Sequence, residues 1–230
     1  MESLQKRNGV IFRLIFVPAL IALAITLLRL IGELQHWSPE WFSPATGGMI
    51  PSSISWIVGI TWLAIPFGGY FAFKLASSGE KAPGLGRWIP IVVLGLMLAY
   101  FGPSLARLAH LGFPKFLIVL WPAMAIAGLI QYFAWPALFR VLIAYGFASR
   151  IPVVVVMFLA IRGSWGTHYD YVDFGNALSK WSFVGKFFLL AFFPQLIFWI
   201  GFTVLVGSLG GLAAMAFSPG RRKKQSAQQR

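Results

Sequence analysis

The 230-residue chain is 58% hydrophobic and only 11% charged, with a mean hydropathy of +0.77. Soluble domains carry about 25% charged residues, so this composition excludes an ordinary soluble protein. The net charge of +13 does not indicate a nucleic-acid partner, because the basic residues flank apolar stretches and no nucleic-acid motif accompanies them. The chain has no cysteine, which excludes disulfides and thiolate chemistry.

Six apolar stretches fill most of the chain, and each is close to the roughly 20 residues that a membrane-spanning helix needs. They do not alternate apolar and polar residues as barrel strands do, so they predict helices. We therefore expect an all-α, polytopic membrane helix bundle of about six transmembrane helices, in a single domain over residues 1–230. The predicted helices are 10–32, 54–76, 88–105, 116–135, 137–161 and 187–217.

One junction leaves the number of helices open. Only Trp135 and Pro136 separate the fourth apolar stretch from the fifth. Residues 116–161 are therefore either two helices or one kinked helix, and the second alternative would reduce the number of spans to five. Basic residues near the N-terminus favour six.

Basic residues predict which side of the membrane each end faces, because Lys and Arg near helix ends stay in the cytoplasm. With six helices and both termini cytoplasmic, twelve Lys and Arg lie inside and six outside, while Arg150 lies within a helix. A bacterial inner or plasma membrane is the expected location. The segment 218–230 is predicted to be a disordered basic tail. Its strongest cluster either only anchors this topology or also contacts anionic lipid; this cluster is Arg221, Arg222, Lys223 and Lys224.

Two predicted helices contain breaks that are typical of transporter binding sites. The first is Pro66 with Gly68 and Gly69, and the second is Gly207, Ser208 and Gly211. The alternative, which the sequence favours, is close helix packing, because small residues four apart let helices approach. The small residues of the sixth predicted helix, Gly207 and Gly211, could also pair two copies of the chain in a homo-oligomer, and a membrane protein partner is the other alternative.

Charged residues inside a membrane segment are energetically costly. Such a residue therefore indicates either a functional site or a side chain that reaches the membrane interface. Arg150 falls in the middle of the predicted fifth helix. It either contacts an anion or a lipid headgroup in a cavity, or the helix bends at Pro152 and the side chain reaches the interface. The sequence favours the second interpretation. Arg29 and Glu33 are four apart, which places them on one helical face as an ion pair.

A cluster of ligand-type side chains is predicted on the outer face. His168, Asp170, Asp173 and His36 are candidate ligands for a divalent metal, because imidazole and carboxylate groups suit such ions. The sequence favours a polar loop without a cofactor, with a divalent metal as the alternative, because His-x-Asp alone is not a specific ligand spacing. No catalytic motif is present. The leading prediction is therefore a non-enzymatic small carrier or an accessory subunit of a membrane assembly. The alternative is a membrane-embedded enzyme or metal-binding protein that uses the loop around His168.

Overall fold

A computed structural model describes residues 2–42, 54–112, 115–170 and 181–217, and all regular structure in these ranges is helical. The α-helices are α1 Glu2–Leu34, α2 Ala64–Ser77, α3 Leu85–Leu108, α4 Lys115–Leu129, α5 Gln131–Ala134, α6 Pro136–Gly163, α7 Phe183–Phe187 and α8 Trp199–Ala216. A 3-10 helix, Ile54–Val58, precedes α2, and two π-helical turns, Phe188–Phe192 and Pro194–Phe198, join α7 to α8.

Five helical segments of the described chain are long and apolar enough to cross a membrane. Large apolar side chains on their outward faces are exposed, among them Phe12 at 62% and Ile118 at 69%. In a soluble protein such surface would be an aggregation hazard, whereas lipid tails cover it at no cost. The fold is therefore compatible with an integral membrane protein in contact with a lipid bilayer. The candidate spans are Gly9–Leu34, Leu85–Leu108, Lys115–Ala134, Pro136–Gly163 and Phe183–Ala216.

The predicted second helix differs most from the structure. Instead of one helix over residues 54–76, a 3-10 helix and a bend precede α2, which has only 14 residues. Pro66 lies in the first turn of α2, where the N–H that proline lacks would have no helical partner. The proline therefore starts a helix here and does not interrupt one.

The bundle has two ends, which we name by one residue of each. At the Arg140 end, one groove is lined by Val10 of α1, Leu75 of α2 and Arg140 of α6. At the Glu33 end, residues that follow α6 reach the last turn of α1, where the His168 N–H donates to Glu33. The segment 59–78 thus runs from near the Glu33 end, where Gly59 contacts Arg29, to the Arg140 end.

The chain reverses at Trp135, whose extended backbone (φ −145°, ψ 95°) separates α5 from α6. Ala125 of α4 and Phe147 of α6 line one groove, as expected if the two helices are antiparallel. Residues 116–161 therefore hold two separate candidate spans, and the single kinked helix is wrong.

Helices α2 and α8 make the most extensive helix contact in the described chain. Gly68 lies directly against the backbone of Gly207, and Gly210 lies directly against the backbone of Ile65. A Cβ at either glycine would overlap the other helix. These glycines therefore pack within one chain, and Gly211 likewise faces Leu138 of α6.

We expect Gly68→Ala to destabilise the protein by about 1–3 kcal/mol, because the added methyl group overlaps Gly207. Gly9→Ala is the matched control, since its Cβ would have nothing within 4 Å and alanine favours a helix. Thermal unfolding in detergent measures both. An equal melting temperature for Gly68→Ala and Gly9→Ala would show that α2 and α8 are not in contact.

Candidate functional site

Three charged or titratable groups meet at the Glu33 end. Glu33 Oε1 accepts a hydrogen bond from Arg29 Nε at 2.9 Å, as the four-residue spacing predicted. The same carboxylate accepts the backbone N–H of His168 at 2.8 Å and lies 2.7 Å from His168 Nδ1. Glu33 is only 5% exposed, so its charge depends on these partners. The triad joins α1 to a segment 135 residues later in the chain.

Left-handed residues at the helix ends bring these groups together. His36 (φ 50°) ends α1 and Ser164 (φ 49°) ends α6, the conformation with which helices commonly terminate. After Ser164, the carboxylate of Asp170 accepts hydrogen bonds from the Gly166 N–H at 2.9 Å and the Thr167 N–H at 2.7 Å. This turn holds His168 and Tyr169 against α1.

Burial lowers the pKa of His168 below its ordinary value of 6.5, although Glu33 acts in the opposite direction. The Arg29 guanidinium already balances the Glu33 carboxylate, so a second cation is not favoured. A neutral His168 that donates from Nδ1 to Glu33 leaves Nε2 without a proton. Burial also raises the pKa of Tyr169, whose hydroxyl donates to the Thr26 carbonyl at 3.0 Å.

Arg150 lies in the middle of α6, about 20 Å from either helix end. The helix is continuous through Pro152 and the side chain is only 4% exposed, so the predicted bend and escape to the interface are wrong. Arg150 Nη1 donates to Gln195 Oε1 at 3.3 Å and Nη2 to Thr61 Oγ1 at 3.4 Å. Both hydrogen bonds are long, and Nε has no partner among the described residues.

Gln195 reaches Arg150 from a π-helical turn, Pro194–Phe198. Pro194 explains the turn, because proline lacks an N–H and clashes with the preceding turn of an α-helix. Such π-helical turns are frequent at functional sites. On the next helix, the Trp199 ring lies 4.8 Å from the Arg150 guanidinium carbon, and its π-face stabilises the cation.

The two arginines line one small cavity of about 70 Å³, which is large enough for a few water molecules or a small ion. Its described lining contains no carboxylate, and no acidic side chain of the described residues lies within ion-pair distance of Arg150. The cavity is therefore electropositive and unfavourable for a metal cation. Its lining residues are Thr26, Arg29, Val58, Gly59, Ile60, Thr61, Arg150, Val153, His168 and Tyr169.

The structure does not direct the described candidate metal ligands toward one common site. His168 faces Glu33, whereas the Asp170 carboxylate faces its own loop and His36 is exposed. Within the described residues, no three His, Cys, Asp or Glu side chains are grouped to hold a metal. Asp173 lies outside the described residues, as does the basic cluster 221–224.

The predicted substrate residues fall into two groups. Arg150 lines the cavity, whereas Gly68, Gly207 and Gly211 lie against neighbouring helices. Gly69 faces Gly210 and Ala214, Ser208 is buried, and Pro66 is exposed. This arrangement favours the packing interpretation for the glycines.

Sequence reasoning missed three partners of the site. Gln195, Thr61 and Tyr169 were not assigned to it, although Gln195 is an isolated amide within an apolar stretch. That isolation was the available signal, because an amide inside a membrane segment needs a partner.

No protein-family model matches the chain, and neither a curated protein nor a solved structure does.

Glu33→Gln should destabilise the protein by about 3–5 kcal/mol, because it leaves Arg29 buried without a balancing charge. Glu40→Gln is the control, since Glu40 is exposed in the same region. Chemical unfolding in mixed micelles compares the two variants. Equal stabilities would mean that the Glu33 triad does not form.

Acid should destabilise the protein partly through His168. Because its folded pKa is lowered, the unfolded chain takes up a proton first as the pH falls below about 6.5, and stability falls with it. His168→Asn retains an N–H for Glu33 but does not titrate. Its melting temperature should therefore fall less than that of the parent protein between pH 7.5 and 5. His110→Asn, at an exposed histidine, should behave like the parent protein. A parent-like pH profile for His168→Asn would contradict this assignment.

Proposed function

We propose that this protein is a multi-pass membrane carrier that binds a small anion in the Arg150 cavity. The observation that carries the proposal is the buried Arg150 guanidinium, which has an unpaired Nε and no described carboxylate partner. An uncompensated charge in a bundle costs several kcal/mol. A bound anion would balance it, and Arg29 and the Thr61 hydroxyl supply further donors around the same cavity.

The topology of the proposal has six crossings with both termini in the cytoplasm. Segment 59–78 runs from near the Glu33 end to the Arg140 end, which is why we count it as the sixth crossing. Gly211, near the end of α8, contacts Leu138 at the Arg140 end, where α1 begins. Basic residues are concentrated at that end, so in this proposal it faces the cytoplasm. The membrane is a bacterial inner or plasma membrane.

A carrier fits the site better than an accessory subunit, an enzyme or a metal-binding protein, which are the alternatives that the sequence left open. Arg150 lies midway along α6, near the depth at which carriers bind their substrates, and the rest of the cavity lies between it and the Glu33 end. An accessory subunit does not require an unpaired charge there. An enzyme or metal-binding protein that uses His168 is less favoured, because Glu33 already contacts the imidazole and because Arg29 and Arg150 line the same cavity.

Arg150→Met separates binding from stability. Removing an unpaired buried charge should leave the melting temperature unchanged or higher, as hydrophobic replacement of buried charges often does. The same change should abolish any stabilisation by phosphate, which we would measure by replacing sodium gluconate with sodium phosphate at constant ionic strength. Arg107→Met, at an exposed arginine of α3, should retain the phosphate response.

Uptake into proteoliposomes tests the transport step. Radiolabelled phosphate should enter vesicles that contain the parent protein faster than vesicles that contain Arg150→Met. Phosphate stabilisation without uptake would favour a binding subunit over a carrier. Equal phosphate responses in the parent protein and Arg150→Met would contradict the anion site.

A further inference from the structure

An apolar groove lies beside the Arg150 cavity and shares a wall with it. The groove has a volume of about 230 Å³ and is lined by side chains of α4, α6 and the π-helical segment. Tyr169 lines both spaces, and its hydroxyl donates to the carbonyl of Thr26, another residue of the cavity lining. Other lining residues include Leu117 and Leu120 of α4, Met157 and Ile161 of α6, and Leu189 and Phe198 of the π-helical segment.

A second side chain links the two spaces independently. Gln195 accepts a hydrogen bond from Arg150 through Oε1, and its Nε2 lies 3.5 Å from Met157 Sδ in the groove wall. One layer of side chains, Tyr169 on one side and Gln195 with Met157 on the other, therefore separates the guanidinium from hydrocarbon-lined space.

Charge at the groove favours an anionic occupant. Three basic residues lie within three positions of groove-lining residues toward the Glu33 end, where a lipid headgroup layer would lie; these are Lys115, Arg162 and Lys186. Their positive charges would attract an anionic headgroup that lies beside them. Another apolar groove, lined by Ile143 and Ile200, has a similar volume of about 240 Å³, but its described lining shares no residue with the Arg150 cavity.

We infer that the ligand is an anionic amphiphile, with a phosphate-like head at Arg150 and a hydrocarbon chain in the groove lined by Leu120 and Phe198. This inference rests on the proposed anion site and names its substrate class. The groove binds the chain by apolar burial, and the cavity distinguishes an anionic head from a neutral one. Since a layer of side chains separates the two spaces, the head and the chain of this ligand would have to join at Tyr169, the residue that lines both of them.

The test compares two probes on the purified full chain in dodecyl maltoside: inorganic phosphate and dodecyl phosphate, with dodecyl glucoside as the neutral amphiphile. We expect dodecyl phosphate to raise the melting temperature at a concentration at least about tenfold lower than phosphate requires, because the chain adds buried methylenes. Dodecyl glucoside should have no such effect.

Two matched variants locate the chain. Leu120→Trp fills the groove beside the cavity and should reduce the dodecyl phosphate response to that of inorganic phosphate. Ile143→Trp fills the other groove and should retain the full response. If Leu120→Trp does not fold, Ile161→Phe narrows the same groove from α6.

The remaining outcomes distinguish the two proposals. Equal responses to phosphate and dodecyl phosphate, both lost in Arg150→Met, would overturn the amphiphile inference and retain the anion site. A full response in Leu120→Trp would also overturn it, because the chain would then bind elsewhere. No response to either probe, or responses that persist in Arg150→Met, would overturn both proposals.

Discussion

The buried charge of the Arg150 guanidinium is the constraint on which the surrounding part of the bundle depends. A charge in the middle of a membrane helix cannot be hydrated by bulk water, so the protein must supply its environment. It does so from three segments: Thr61 before α2, Gln195 in the π-helical turn, and the ring of Trp199. The hydrogen bonds are long and Nε lacks a partner among the described residues, so this environment is incomplete without a further acceptor.

Arg29 is also buried, but unlike Arg150 it has a carboxylate partner in the same chain. Its Nε donates to Glu33 at 2.9 Å, and the carboxylate is in turn held by His168. One arginine is thus neutralised by the fold and the other is not, although both line one cavity. The contrast distinguishes an ion pair that the fold completes from the arginine at which we propose that an anion binds. The tight contact of α2 with α8, in which Gly68 meets Gly207, fixes the scaffold that carries Thr61 to this cavity.

Hydropathy and local spacing predicted much of this architecture. Apolar length identified the long helices, and the spacing of Arg29 and Glu33 identified their ion pair, because both signals are local in sequence. The start of α2 was not predictable in this way, since hydropathy does not distinguish an apolar bend from an apolar helix. The link from Glu33 to His168 spans 135 residues, and no local pattern encodes it. Arg150 was misjudged because proline is a weak predictor of a break where neighbouring helices support the backbone.

Anomalous diffraction from crystals grown in sodium bromide tests the central claim most directly, because bromide is a small anion with its own scattering signal. The account predicts a bromide peak in the cavity within hydrogen-bonding reach of the Arg150 guanidinium, on the side of Nε. A carboxylate of this chain paired with Arg150, with no bromide in the cavity, would contradict it, since the charge would then be balanced by the fold alone.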